Sequence, residues 1–341
     1  MFSTPAVAGD LIFVGSCNGV FHAIDKETGR ARWTYAAIRD ARPGGSAEFH
    51  GSPLVTDDLV VTSTDDRSPG GFGHIYTLER ATGRLRWKVR VIKRGVMSDV
   101  LRSGSRLYAL SLGDELLCLE LETGRINWTH TLSMTIDEER SSVMTPVVSN
   151  GVVYAGGQEG TVEAVDAITG ELRWRQKLGS AVVAPLALRN EDLYVPTSGH
   201  LVRLDRRDGS KRAELDLKGN VFGAPMVLGA DLIVFVNEPP PEGSCGGTQV
   251  LKSLDASLES VRWSRRAIRG WSSSRPYLWQ GNVLAGGERG EITAFRPREG
   301  IAAWSDRFPG VIRGIGIDSE MLYVGTVKGT IYAYEPQAPL K

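Results

Sequence analysis

The sequence predicts an all-β fold: a single eight-bladed β-propeller of four-stranded antiparallel blades, spanning residues 1–341 as one domain. Three observations carry that prediction. A set of four short β-runs recurs about every 40 to 50 residues, the period of a propeller blade. A Gly is followed four residues later by Trp at Gly29/Trp33, Gly83/Trp87, Gly124/Trp128, Gly170/Trp174 and Gly300/Trp304. The composition, 41% hydrophobic and 23% charged with 40 glycines, suits a turn-rich β globule and not a disordered chain.

The clearest copy runs from Ser142 to Leu178. Thr145-Pro146-Val147-Val148 opens it, and Asn150-Gly151 supplies a hairpin turn before Val152-Val153-Tyr154-Ala155. A turn at Glu159-Gly160 leads into Val162–Asp166, and Thr169-Gly170 turns the chain into Glu171-Leu172-Arg173-Trp174. Laid along the chain, this unit predicts blades near 3–37, 49–91, 96–132, 142–178, 181–217, 221–267, 271–308 and 311–336. Two copies depart from it: Gly209 is followed by Ala213, and Trp263 is preceded by Glu259. The last copy ends at Tyr332-Ala333-Tyr334-Glu335, so blade 8 is expected to lack its outer strand.

Each recurring residue has a physical task. The acidic residue four before the Gly (Asp25, Glu79, Glu120, Asp166, Asp205, Asp255) and the Gly build the turn between the third and fourth strands. Trp on the outer strand offers a large apolar face to the neighbouring blade, and its indole N–H needs an acceptor. Pro5, Pro53, Pro146, Pro185, Pro225 and Pro276 stand at the start of inner strands, edges on which a missing N–H is tolerated.

This texture, Gly-x-Val-Tyr followed by Ala-x-Asp-x-x-Thr-Gly-x-x-x-Trp, resembles the quinoprotein-like (PQQ-type) propeller repeat over nearly the whole chain. The repeat is found in quinoprotein alcohol dehydrogenases and in the outer-membrane β-barrel assembly lipoprotein. The resemblance implies the fold, and it implies either a PQQ-dependent dehydrogenase or a non-catalytic binding platform. Dehydrogenases of that kind carry two adjacent cysteines against the quinone, and Cys17, Cys118 and Cys245 lie far apart. PQQ chemistry is therefore not expected, and no cofactor is.

Forty basic and forty acidic side chains cancel, which removes the usual drive for nucleic-acid binding. No apolar run reaches the roughly 20 residues that span a bilayer, and MFSTPAVAGD has no signal-peptide form. Three sparse cysteines fit a reducing compartment. These points favour the cytoplasm slightly, with the periplasm as the alternative if a leading segment was removed before Met1. A monomer is expected, with a small molecule or a protein as partner on the funnel face.

Function is to be sought where the blades differ. Loops between second and third strands are enlarged in blade 2 (Asp65–His74) and blade 6 (Asn237–Thr248), on opposite sides of one channel mouth. They are either lids over a binding funnel or exposed tips that tolerate insertion. Asn237 and Glu238 open the second of these loops. Asp99, Arg275 and Arg313 stand at inner-strand starts, where a charge is either solvated or placed to meet a ligand. Glu48, His50, Asp65, Asp66 and His74 of blade 2 are acid–base and ligand types, but their spacing matches no metal motif, and none is expected. His200 and Trp271 complete the candidates lining the funnel. The expectation is a non-catalytic binding platform. The alternative is a cofactor-independent enzyme (hydrolase, isomerase or cyclase) using Glu48, His50, Asp65, Asp66 and Asp99.

Overall fold

The computed structural model describes residues 3–132, 144–221, 223–239, 247–269 and 275–335. Among them, seven four-stranded antiparallel meanders and one three-stranded sheet follow one another in chain order, which is an eight-bladed propeller with a short last blade.

Blade 4 shows how local sequence makes the unit. Its strands are Val147–Ser149, Val152–Gly156, Thr161–Asp166 and Leu172–Lys177. Asn150 and Gly151 between the first two both have positive φ, 50° and 72°, as a tight hairpin turn of the primed type requires. Val152–Gly156 is buried at every position because neighbouring blades cover both of its faces, so it reads as a continuous apolar run. Leu172–Lys177 is alternately exposed at the rim, and it alternates accordingly in sequence. Asp166 closes the turn before it: Oδ1 accepts the N–H groups of Ile168 and Thr169 at 2.8 and 2.9 Å, and Oδ2 accepts from Arg173 at 2.6 Å. The Arg173 hydrogen bond, with those two N–H groups, holds the Asp166 carboxyl well below the usual carboxylate range.

Blades are joined by the recurring Trp and Gly acting together. The indole of Trp128 in blade 3 donates to the carbonyl of Ala167 in blade 4 at 3.3 Å, and its ring lies over Gly170. Trp33, Trp87, Trp174 and Trp263 do the same to Arg80, Leu121, Arg206 and Pro297, each three residues before the Gly of the next blade. A β-bulge aims each indole: strand pairing slips by one just past the residue opposite the Trp, as between Ala164 and Val165. Opposite the Trp stands a small residue, such as Ala23, Cys118, Ala164 or Ala294.

The two irregular copies are two halves of one joint. Blade 5 has Ala213 in place of Trp, and blade 6, which would receive that Trp, has Glu259 in place of Gly. The residue paired with Ala213 is Arg203, large where the others are small. Its guanidinium reaches the Ala256 carbonyl of blade 6 at 3.3 Å, and Tyr194 donates to the same oxygen at 2.8 Å. The donor and the bulk have moved to the facing strand.

The ring closes between blades 8 and 1: a Cβ on Gly314 would stand 2.6 Å from Thr4 Cα at the inner strands, and Lys26 pairs with Asp318 at 3.2 Å between turns of the two blades. The Thr4 hydroxyl also lies 3.4 Å from that of Tyr277 in blade 7. Residues 336–341, which follow blade 8, lie outside the described residues.

Among the described residues blade 8 has three strands, and Gly29 of blade 1 receives no indole. Gly29 and Gly170 share a left-handed backbone, φ 67° and 78°, but an added Cβ meets nothing within 4 Å at Gly29 and stands 2.7 Å from the Trp128 ring at Gly170. Gly29→Ala is expected to cost about 1 kcal/mol of backbone strain. Gly170→Ala should cost about 2 kcal/mol or more, because the indole must also shift. Urea midpoints of the two variants check this, and equal losses would remove the packing role assigned to Gly170.

Candidate functional site

Eight inner strands converge on a central cavity of about 860 Å³. Loops between second and third strands and the segments leading into inner strands share its mouth, because each leading segment pairs with the preceding blade's loop. Phe49 N–H donates to Ser16 at 3.4 Å, Val96 N–H to Thr64 at 3.2 Å, and Asn220 and Asn237 exchange both backbone bonds. Residues far apart in sequence are thereby set side by side at these seams.

The candidate residues fall into separate groups. Asp99 and Arg275 meet: Arg275 Nη1 lies 3.6 Å from Asp99 Oδ2, bridging blades 3 and 7. Asp99 Oδ1 also accepts the Ser52 N–H of blade 2 at 2.6 Å, and the Asp99 N–H donates to Thr145 Oγ1 of blade 4 at 3.2 Å. Asp99 thus joins its own blade to blades 2, 4 and 7 as well as facing the channel. Arg313 lines the same cavity.

A second group forms at the seam of blades 1 and 2. His50 Nδ1 lies 2.6 Å from Asp65 Oδ1 and His50 Nε2 3.5 Å from Glu48 Oε2. Arg67 closes the group, with Nη2 3.4 Å from Glu48 Oε2 and Nε 3.8 Å from Asp65 Oδ2. Glu48 and Asp65 are held by their backbones, which exchange hydrogen bonds of 2.9 and 3.0 Å and extend the ladder beyond Leu59–Ser63. The Asp65 side chain is 0% exposed. Burial pushes its carboxyl up, and His50 and Arg67 oppose that rise. Cys17, in the second-to-third-strand turn of blade 1, completes the group: one donor atom each from Cys17, Glu48 and His50 lie within 4.8 Å of one another.

Asp66 and His74 do not join it. Asp66 Oδ2 accepts from Arg42 Nε at 3.1 Å, and Oδ1 accepts the Ser68 N–H at 3.1 Å. Burial would raise this carboxyl, but those bonds hold it below the usual range. His74 is buried among aromatic rings, 5.6 Å from Phe72 and 5.5 Å from Tyr76, and burial lowers its pKa. Packing in an aromatic core is its observed environment.

In blade 6, Asn237 is a buried ladder residue, and Glu238 pairs with Lys252 at 2.8 Å. Lys252 also donates to the Leu217 carbonyl at 2.8 Å, so this pair anchors the strand extension into the long loop. His200 stands at the start of His200–Asp205, with Nδ1 3.3 Å from the Ser198 carbonyl, and does not line the cavity. Trp271 and the loop residues 240–246 lie outside the described residues.

Sequence reasoning missed Cys17 and Arg67 as members of the blade 2 group. Arg67 sits inside the enlarged loop next to Asp65. Cys17 lies more than thirty positions from His50, and only the rule that a loop pairs with the next blade's leading segment points to it.

The sequence model of the family described as outer membrane protein assembly factor BamB matches residues 2–160, 71–225, 158–306 and 247–338. Outer membrane protein assembly factor BamB of Legionella pneumophila (strain Paris) is 24% identical over 205 residues, 59% of this chain and 49% of that protein. The chain spans about half the length of the curated relatives it matches. Among solved structures, BamB from Moraxella catarrhalis superimposes with a TM-score of 0.77 at 16% identity, covering 97% of this chain and 95% of that one. A europium-containing methanol dehydrogenase superimposes with a TM-score of 0.69 at 13% identity, covering 94% and 81%. At such identities these likenesses show the fold alone.

The slight preference for the cytoplasm is corrected by these relatives, which are named as assembly factors of outer-membrane protein. The low cysteine count carries little weight against that, because an oxidising compartment permits disulfides without requiring them in a propeller whose blades each bury an apolar core.

Proposed function

This chain belongs to the outer membrane protein assembly factor BamB family, and from that premise we propose that it is a non-catalytic platform that binds protein through the channel-mouth face. Its partners are components of outer-membrane protein assembly, and its place of work is outside the cytoplasm.

The Asp99–Arg275 bridge is the observation that carries this reading. A substrate pocket keeps polar groups aimed at a reacting atom, whereas here the two inward charges of blades 3 and 7 engage each other and the backbones of neighbouring blades. The inner ring is thereby a rigid frame. What it presents outward is the loop-bearing rim, where the enlarged blade 2 loop projects beside the mouth. No helix among the described residues is long and apolar enough to cross a membrane.

Photo-cross-linking in the native cell envelope tests the face. Photoreactive residues at Pro69 and Glu159, on mouth loops, are expected to capture defined outer-membrane assembly proteins identified by mass spectrometry. One at Ile168, in an exposed turn on the opposite face, is expected to capture none. Capture from Ile168 alone, or from none of the three, would overturn the proposal.

A further inference from the structure

We propose that Cys17, Glu48 and His50 form a binding site for a zinc-class divalent cation at the seam of blades 1 and 2, with its remaining coordination position opening toward the channel. This goes beyond the platform reading and does not depend on it.

The donor set comes first. A thiol, a carboxylate and an imidazole each place one donor atom within 4.8 Å of the others. Three ligands of these kinds leave a fourth tetrahedral position open on Zn²⁺, and sulfur and imidazole together favour Zn²⁺ or Co²⁺ over Mg²⁺ or Ca²⁺. Glu48 Oε2 and His50 Nε2 are 3.5 Å apart. Metal–ligand bonds of about 2.0 to 2.2 Å in a tetrahedron put two such ligands roughly 3.3 to 3.6 Å apart, so this pair already stands at ligand spacing and the Cys17 thiol closes the remaining distance.

The imidazole is already oriented for this. Asp65 Oδ1 lies 2.6 Å from His50 Nδ1 with the Asp65 side chain fully buried, and Asp65 Oδ2 has no hydrogen-bond partner among the described residues. A buried carboxylate behind an imidazole fixes the tautomer that presents Nε2 outward and raises the basicity of that nitrogen toward a metal. The backbone pairing of Glu48 with Asp65, and of Phe49 with Ser16 beside Cys17, fixes the three donors to one another before any ion arrives. His50 and Arg67 line the channel cavity, which sets the direction of the open position.

Two other features of the seam bear on the choice. Arg67 takes the outer side of Glu48 at 3.4 Å, but its side chain is 56% exposed and can turn into solvent. A thiol beside an Asp-backed His also suggests a nucleophile. Burial pushes the Cys17 thiol up, Glu48 and Asp65 add to the rise and Arg67 opposes it, and the net rise disfavours a thiolate in the absence of a cation. A divalent ion reverses that balance: it displaces the thiol proton to solvent and binds the thiolate directly.

The test is a Co²⁺ titration of the full, reduced, metal-stripped protein, following the thiolate-to-cobalt charge-transfer absorption. One Co²⁺ per chain is expected, displaced by Zn²⁺. Cys17→Ser should abolish the charge-transfer band. Asp65→Asn should retain the band with 10- to 100-fold weaker binding, the effect of losing an orienting carboxylate. Wild-type protein gives a reading that needs no variant: Zn²⁺ should protect Cys17 from alkylation, quantified by peptide mapping. No charge-transfer band, a band unchanged in Cys17→Ser, or alkylation of Cys17 unaffected by Zn²⁺ would each overturn the site.

Discussion

Trp128→Ala is expected to destabilise the propeller by about 3 kcal/mol, near the lower end of the range for truncating a packed Trp because the ring is only partly buried. Three losses combine in it. The ring leaves Gly170 uncovered, the Ala167 carbonyl loses the indole N–H at 3.3 Å, and contact with the Tyr108 ring, 6.0 Å away between centroids, goes with them. Tyr108 still donates to Ala167 at 3.0 Å, which limits the damage to packing. The blade 5–6 joint should respond differently, since its donors are Tyr194 and Arg203. Tyr194→Phe keeps the ring and removes a 2.8 Å bond to Ala256, so about 1 kcal/mol is expected. Urea unfolding of the two variants reads both values. A Trp128→Ala loss no larger than that of Tyr194→Phe would mean that the indole is not what couples blades 3 and 4.

Arg175→Ala is expected to cost about 3 kcal/mol although Arg175 is 45% exposed, because of what it leaves behind. Glu163 on the third strand of blade 4 has a fully buried side chain, accepts from Arg175 Nε at 2.8 Å and lies 2.7 Å from His130 Nε2 of blade 3. Removing the guanidinium leaves a buried carboxylate beside the His130 imidazole but without its permanent cation in a low-dielectric seam, and that penalty exceeds the value of an exposed ion pair. The double variant Arg175→Ala/Glu163→Gln, which also removes the charge, should therefore be more stable than Arg175→Ala alone. Chemical denaturation of wild type and both variants decides it. A double variant less stable than the single one would show that the charge on Glu163 is not the source of the cost.

The blade 5–6 joint marks how far the repeat was legible. Sequence alone shows Ala213 and Glu259 as two separate lapses from the pattern. They belong together because the Trp of one blade is received by the turn of the next, a relation between strands about forty residues apart in the chain. Arg203 and Tyr194 carry no mark of their role until strand pairing puts one opposite Ala213 and both against Ala256. The reading of Trp as an inter-blade contact with a needy N–H did follow from residue chemistry, and all five bonds to the next blade bear it out.

The candidate site was legible in part. Charges at inner-strand starts were visible as exceptions at a known place in the repeat, and Asp99 and Arg275, from opposite blades, do meet. Blade 2 was singled out for its acids and histidines, yet proximity in sequence misled for two of them. Successive residues of a strand point to opposite faces, so Asp65 turns toward His50 while Asp66 turns toward Arg42 and Ser68. His74 is carried into the aromatic core by the same alternation.

By itself the sequence determined the class of fold, the number of blades, the short last blade and the face on which the blades differ. Those follow from local rules, strand period and turn chemistry, repeated until the pattern is unmistakable. Tertiary structure alone decided which side chains share a seam: Cys17 with Glu48 and His50, Arg203 with Ala256, Glu163 with His130. Each of these contacts joins different blades, and its geometry depends on how sheets stack around the ring, a packing outcome that no local pattern encodes.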